Sequence, residues 1–118
     1  MVSSYQKTKP FDHRCNESKS MKDKYPDRVC VICERGASAG TIGNLDKNKY
    51  LVPRTLTVGQ FMHIIRKRLD IDSVKALFLF TEAQVLPPTS MMMVDLYASH
   101  KHDDGLLYLT YATENTFG

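Results

Sequence analysis

The chain has 118 residues, of which 42% are hydrophobic and 25% are charged, and its formal net charge at pH 7 is +3. This composition is typical of one small globular domain, and it excludes a collagen-like chain, a disordered tail and, with three cysteines, a disulfide scaffold. The longest apolar runs, Val29–Cys33 and Ala76–Phe80, have five residues, whereas a helix needs roughly 20 to cross a bilayer.

The N-terminal segment carries the whole net charge. Residues 1–28 contain seven lysines or arginines and four acidic residues, and the remaining 90 residues contain nine of each sign. Pro10 divides this segment into a short polar piece and a helix-like stretch over Phe11–Lys24, which Pro26 ends. The interspersed charges favour a solvated helical extension over residues 1–27, with attraction to anionic lipid as the alternative. No arginine-rich stripe with aromatic residues is present, so nucleic acid is not an expected partner.

A long hairpin and a helix are predicted next. The β-branched run Arg28–Arg35 predicts a buried strand, the glycine-rich residues 36–43 predict a flexible connection, and Lys49–Pro53 alternates as a second strand. Thr57 and Gln60 have the spacing of a capping box that opens a helix. Its core stripe is formed by Val58, Phe61, Met62, Ile65 and Leu69. Ile64 lies off this stripe, on an apolar shoulder beside Arg68.

The second half of the chain predicts two more strands and a short helix. Ala76–Phe80 is a third strand, a short helix follows Pro87–Ser90 and runs through Tyr97, and Leu106–Tyr111 is a fourth strand. One helix crossing between strands predicts an α+β fold with a mixed sheet, which is the plan of the ubiquitin-like β-grasp. The core is thus expected over residues 28–111, preceded by two extra N-terminal helices and followed by a flexible tail over residues 112–118.

The candidate catalytic groups do not form a recognisable active site. Cys30 and Cys33 have redox or zinc spacing, but residues three apart in a strand point to opposite faces, so their sulfurs cannot share a metal or form a disulfide. A thiol redox protein therefore remains the least favoured hypothesis. The four histidines lack a set of metal ligands around them, and residues 36–43 lack a phosphate-binding signature. We therefore predict no enzyme, no metal site and no cofactor.

The C-terminal residue is notable once it follows a ubiquitin-like order of strands. Gly118 ends a tail without periodicity. Because glycine has no Cβ, such a tail can enter a narrow catalytic channel, and its carboxylate can be activated and passed to a thiol or an amine.

Several blocks in the same order closely resemble the autophagy ubiquitin-like modifiers, the family that includes GABARAP. They extend from about Tyr5 to Gly118. The blocks are Lys49–Pro53, Leu56–Phe61, Ile65–Arg68, Leu86–Thr89, Asp104–Gly105 and Glu114–Gly118.

The resemblance implies that the chain is the substrate of a conjugation cascade. Activating and conjugating enzymes would join Gly118 to the amine of phosphatidylethanolamine, and a cysteine protease that reads the tail at Thr116 and Phe117 would process and release it. Without an apolar segment after the first methionine, the expected location is cytoplasmic, with a lipid-anchored form on autophagosomal membranes. The chain would act in autophagosome formation and recruit cargo receptors.

The resemblance also implies a site for receptors that carry an aromatic-x-x-aliphatic motif, which would add a strand to the edge strand Lys49–Pro53. The first pocket would contain Glu17, Met21, Cys30, Ile32, Lys49, Leu51 and Leu106. The second would contain Tyr50, Val52, Pro53, Leu56, Phe61 and Ile64. The cations that would attract acidic residues around the motif are Arg28, Lys47, Lys49 and Arg68. Cys30 and Leu106 depart from the family pattern, so the preferred aromatic residue stays open.

Two further expectations remain. Phe78 and Phe80 lie where some relatives have a separate docking surface, but packing in the strand core is the favoured interpretation. An unconjugated adaptor between vesicle receptors and the cytoskeleton is the alternative function, and it would make Gly118 dispensable.

Overall fold

The structure is a computed structural model that describes residues 3–36, 43–72 and 75–113. Within these residues four helices and four strands follow one another. In chain order they are α1 (Ser4–Thr8), α2 (Phe11–Lys24), β1 (Arg28–Arg35), β2 (Lys49–Pro53), α3 (Val58–Leu69), β3 (Leu77–Thr81), α4 (Met93–His100) and β4 (Leu107–Thr113). None of the described helices is long and apolar enough to cross a membrane.

The four strands form a mixed sheet in the order β2-β1-β4-β3. The central strands β1 and β4 are parallel, while β2 and β3 pair antiparallel at the two edges. Strands β1 and β2 form the predicted hairpin, with Cys30 opposite Leu51. The predicted α+β class, the mixed sheet and both N-terminal helices are therefore confirmed.

Helix α3 covers the inner face of the sheet. The capping box is present, since the Thr57 hydroxyl accepts from the Gln60 backbone N–H while the Gln60 side chain accepts from the Thr57 N–H. Val58, Phe61 and Ile65 are fully buried against the inner residues of all four strands. The predicted stripe is thus confirmed at its centre, and its outer members Met62 and Leu69 are only partly buried.

Helices α1 and α2 lie over the outer face of the sheet, where a second and smaller core forms. It contains Tyr5 of α1, Cys30 and Ile32 of β1, and Leu106 and Tyr108 at the start of β4. The sheet therefore has apolar layers on both faces, which explains why β1 reads as one continuous apolar run.

Three predicted elements had boundaries that were wrong by one to three residues. Strand β3 is Leu77–Thr81 instead of Ala76–Phe80, and β4 is Leu107–Thr113 instead of Leu106–Tyr111. The pairing of Leu77 with Thr113 extends β4 by two residues, so positions 112 and 113 lie in the strand. Helix α4 ends at His100, three residues beyond Tyr97.

The start of α4 is set by a contact with the segment before α3. The Val58 N–H donates to the Met91 carbonyl, the Met93 N–H donates to the Leu56 carbonyl, and Thr57 forms an isolated bridge with Met92. These bonds keep residues 91–92 extended, so the helix begins at Met93 and not directly after Ser90.

Candidate peptide-binding site

Strand β2 is an edge strand whose two faces differ. Among the described residues it pairs with β1 alone, so its other side offers backbone groups to an added strand. Tyr50 and Val52 belong to the core beneath α3, which we call the inner core. Leu51 packs on the smaller core beneath α1 and α2, which we call the outer core. The predicted alternation of this strand is confirmed.

The structure brings the seven residues predicted for the first pocket together on the outer face. Cys30, Ile32 and Leu106 belong to the outer core, and Met21 and Leu51 pack against it. The Lys49 ammonium forms an ion pair with the Glu17 carboxylate, which ties β2 to α2. Ile32 and Leu106 have no exposed surface, so they form the floor below the partly exposed Met21 and Leu51.

Tyr5 is a residue of this region that the sequence did not reveal. It is 5% exposed and lies in the outer core, with the Lys49 ammonium 5.7 Å from the centre of its ring. It occurs in a short polar piece without hydrophobic periodicity, and its burial depends on the docking of α1 onto the sheet. The capping box of Ser3 and Gln6 was the one local signal for that helix.

The polar groups of the first pocket are incompletely satisfied. One Glu17 carboxylate oxygen and the Tyr5 hydroxyl are buried without a hydrogen-bond partner in the described structure. Burial raises the pKa of Glu17, while burial and the nearby Lys9 charge lower the pKa of Lys49. A ligand that donates a hydrogen bond here would satisfy an otherwise costly acceptor.

The residues predicted for the second pocket divide into a buried contact between β2 and α3 and a surface depression that no β2 residue lines. Tyr50 packs edge-to-face on Phe61 with ring centres 5.7 Å apart, and Phe61 itself is fully buried. Leu56 and Ile64 are partly exposed and line a shallow apolar depression of about 540 Å³ that extends towards Thr89. The off-stripe position of Ile64 therefore leaves it at the surface. Of the remaining residues, Val52 is buried and Pro53 is exposed.

Three predicted cations surround β2. The Lys47 ammonium and the Arg68 guanidinium lie 4.9 Å and 5.7 Å from the centre of the Tyr50 ring. Arg68 also contacts Asp46 at 3.5 Å, between largely exposed groups. Arg28 donates to the Leu51 carbonyl at 3.4 Å, at the end of the strand near Pro53. All three lie close enough to β2 to meet acidic residues beside a bound motif.

Cys30 and Cys33 lie in different cores, as the strand geometry predicts. Cys30 belongs to the outer core and Cys33 to the inner core. Burial, followed by the charges of Glu17 and Asp104, raises the pKa of Cys30 to about 12, and burial with Glu34 raises the pKa of Cys33 further. Within the described ranges no cluster of metal-ligating side chains occurs. These thiols are packing residues.

The structure corrects the interpretation of Phe78 and Phe80. Both rings are partly exposed, and neither belongs to a core cluster, whereas the alternate residues Leu77 and Leu79 do. Their ring centres are 6.5 Å apart on the outer face of β3. Core packing was therefore the wrong expectation for this pair. The predicted tail residues Thr116, Phe117 and Gly118, and most of the connection 36–43, lie outside the described residues.

Comparisons with known proteins agree on one family. A family model described as Autophagy protein Atg8 ubiquitin like matches residues 13–118. Autophagy-related protein 8 of Coccidioides immitis is 48% identical over 118 residues, covering 100% of this chain and 99% of the relative. The protein of the same name from Aspergillus niger is also 48% identical, with 98% of the relative covered. The crystal structure of Trypanosoma brucei ATG8 superimposes on this chain with a TM-score of 0.92 at 39% sequence identity. The match covers 100% of this chain and 100% of that chain.

Proposed function

The chain belongs to the Atg8 family of autophagy ubiquitin-like proteins, and from this premise we propose that it is a modifier with two activities. It is attached through Gly118 to phosphatidylethanolamine, and it recruits receptors that carry an aromatic-x-x-aliphatic motif. Its partners are the activating and conjugating enzymes of the lipidation cascade, a delipidating cysteine protease and the receptors themselves. It alternates between the cytoplasm and the autophagosomal membrane.

The observation that carries the receptor-binding part is the edge strand β2, whose Leu51 packs on the outer core while Tyr50 and Val52 belong to the inner core. In an added strand, residues three positions apart point to opposite faces of the sheet. The aromatic residue of the motif would therefore enter the first pocket, beside Leu51 on the outer face. The aliphatic residue would enter the surface depression at the start of α3, beside Leu56 and Ile64. The different environments of the two faces of β2 support a motif with this spacing.

The first pocket favours an aromatic residue that can donate a hydrogen bond. The unpartnered Glu17 oxygen is an acceptor in a buried setting. A tryptophan indole N–H or a tyrosine hydroxyl would satisfy it, whereas phenylalanine would leave it without a donor. The preference that the sequence left open is thus expected to be tryptophan or tyrosine over phenylalanine.

The conjugation part rests on the family membership and on the terminal glycine. Strand β4 ends at Thr113, and five more residues lead to Gly118, which is a reach of at most about 18 Å when fully extended. The carboxylate would be adenylated, transferred to an enzyme thiol as a thioester, and then joined to the lipid amine as an amide.

Reconstitution tests the conjugation. The purified chain is incubated with the activating and conjugating enzymes, ATP and vesicles containing phosphatidylethanolamine, and mass spectrometry locates the lipid. We expect the lipid on Gly118 and none on the chain that lacks Gly118. If that shortened chain still reaches autophagosomal membranes in starved cells, conjugation is not the function and the unconjugated adaptor is favoured.

Peptide binding tests the receptor site separately. Leu51→Ala should weaken binding of a Trp-x-x-Leu peptide about tenfold or more, because it removes apolar contact in the first pocket. The matched control is Leu86→Ala, since Leu86 is 53% exposed and outside both pockets. Lipidation should persist in both variants. Unchanged peptide affinity in Leu51→Ala would contradict the proposed site.

A further inference from the structure

One surface groove, separate from the two predicted pockets, has no role in the proposed function. It lies between α2 and the α4–β4 connection, with a volume of about 430 Å³. Lys19 and Lys22 of α2 and Lys101 after α4 line it, over a floor that includes Tyr97 and Cys15. Asp103 is its one carboxylate among the described residues. We call this site the basic groove.

The cations of the basic groove are available to a ligand. Among the described residues none of its three lysines has a carboxylate within ion-pair distance. The Lys101 ammonium instead lies 5.7 Å from the centre of the Tyr97 ring. Lys19, Lys22 and Lys101 are all exposed at the surface. The groove therefore presents three lysines against one carboxylate, which leaves an excess of positive charge.

The groove walls are held in place. The Tyr97 hydroxyl donates to the Gly105 carbonyl at 2.5 Å, which fixes α4 to the turn before β4. Ser18 of α2 packs so closely on Gly105 that a Cβ there would lie 2.3 Å from its hydroxyl oxygen. A preformed site loses less conformational entropy on binding than a mobile one.

The basic groove is continuous with the first pocket. A small cavity of about 30 Å³ contains the first-pocket residues Met21, Cys30 and Leu51, and it shares Lys22, Tyr97 and Gly105 with the groove. Arg28 and Arg54, near the end of β2 at Pro53, line the same cavity. A path lined by cations thus leads from that end of β2 to the groove.

We propose that the basic groove binds an acidic segment of the receptor, namely the flank that leaves β2 at its Pro53 end. This proposal rests on the proposed receptor binding and extends it. The groove adjoins the start of β4, and the chain continues towards Gly118 from the other end of this seven-residue strand, about 23 Å away. The groove therefore lies at the end of β4 opposite to the one from which the chain continues towards Gly118.

The test measures peptide affinity by calorimetry at low and high salt. One peptide carries a Trp-x-x-Leu motif alone, and two others extend it by four glutamates at the amino or the carboxyl end. One of the extended peptides should bind about tenfold more tightly than the short one, and this gain should shrink as salt rises. The end that gives the gain identifies the direction of the bound motif.

The double variant K19Q/K101Q should lose that gain and keep the affinity for the short peptide. The matched control K67Q/K75Q removes the same charge from exposed lysines outside the groove and should keep the gain. A gain that survives in K19Q/K101Q, or no gain with the native chain, overturns the groove proposal alone. If no peptide binds, the receptor site fails and the groove proposal with it.

Vesicle binding tests whether an anionic membrane occupies the basic groove in place of a receptor. The unconjugated chain is tested for binding to vesicles rich in phosphatidylserine. If K19Q/K101Q abolishes this binding and the acidic extensions add no peptide affinity, the groove is assigned to the membrane and the proposal is overturned. We expect no difference in vesicle binding between K19Q/K101Q and K67Q/K75Q.

Discussion

The Arg14 guanidinium of α2 donates to the Asp104 carboxylate at 2.6 Å, and both groups are buried although they lie 90 positions apart in the chain. The same carboxylate oxygen accepts from the Tyr108 hydroxyl at 2.5 Å, and the other accepts from the Leu106 N–H at 2.8 Å. Asp104 thereby joins α2 to the first residues of β4. This connection supports both the first pocket and the wall of the basic groove.

Removal of the Asp104 carboxylate should strongly destabilise the fold. Asp104→Ala leaves the Arg14 charge and the Tyr108 hydroxyl buried without their acceptor, which costs about 3–5 kcal/mol in comparable buried pairs. Urea unfolding followed by circular dichroism measures the loss. The control is Asp103→Ala, whose exposed side chain is one position away and should change stability by less than about 0.5 kcal/mol. A loss below about 1 kcal/mol for Asp104→Ala would contradict the structural role.

Gly105 should not tolerate alanine. Its φ of +87° is in the region that favours glycine, and an added Cβ would lie 2.3 Å from the Ser18 hydroxyl oxygen. Gly105→Ala should therefore lower the free energy of unfolding by about 1–3 kcal/mol. Gly43→Ala is the matched control, because no atom lies within 4 Å of its added Cβ.

A double variant separates the two causes at Gly105. Ser18→Ala removes the hydroxyl that would clash, so Gly105→Ala should cost less in that background than in the native chain. Thermal unfolding of the four combinations gives the coupling. Equal costs in both backgrounds would show that backbone strain alone determines the effect.

Local sequence signals predicted the bounds of β1, β2 and α2 and the start of α3 correctly, because each is bordered by proline, a capping residue or a sharp change of polarity. The ends of β3 and β4 depend instead on the pairing of Leu77 with Thr113, which local patterns do not encode. In the same way an apolar run such as Leu77–Phe80 does not reveal which alternate residues face the core. The aromatic Phe78 and Phe80 were therefore misassigned.

The sequence predicted the part of the site that depends on the alternation of side chains along the edge strand β2. The alternation of β2 placed Leu51 and Tyr50 on opposite faces, and the structure agrees. Tyr5 and the Arg14–Asp104 pair were not predictable, because each depends on helices that dock from a distant part of the chain. No periodic pattern marks such contacts.

The capping box of α3 should contribute measurably to stability. The Thr57 hydroxyl accepts from the Gln60 N–H at 3.1 Å, so Thr57→Ala removes one partner of a helix N-terminus and should cost about 1 kcal/mol. Thr57→Ser keeps the hydroxyl and should retain most of the stability. Chemical denaturation of both variants provides the comparison, and equal losses for alanine and serine would refute the capping role.

Cys30 should make the fold sensitive to alkaline pH. Burial raises its pKa in the folded chain from an ordinary 9.0 to about 12, so the unfolded chain releases this proton at a lower pH than the folded chain does. A raised folded pKa contributes stability that is complete below pH 9 and is lost as the pH rises towards 12. Above about pH 9 the free energy of unfolding should fall by up to roughly 1.4 kcal/mol per pH unit from this thiol.

The slope of the free energy of unfolding against pH distinguishes the ionisation of Cys30 from a loss of packing. Cys33 is buried in the inner core and contributes in the same direction, so Cys30→Ala should reduce the slope between pH 9 and 10 without abolishing it. Val29→Ala also removes buried volume next to Cys30 but no titrating group, so it should lower stability at every pH and leave the slope unchanged. Urea unfolding at a series of pH values measures both. If Cys30→Ala kept the native slope, burial of its thiol could not be the source of the alkaline sensitivity.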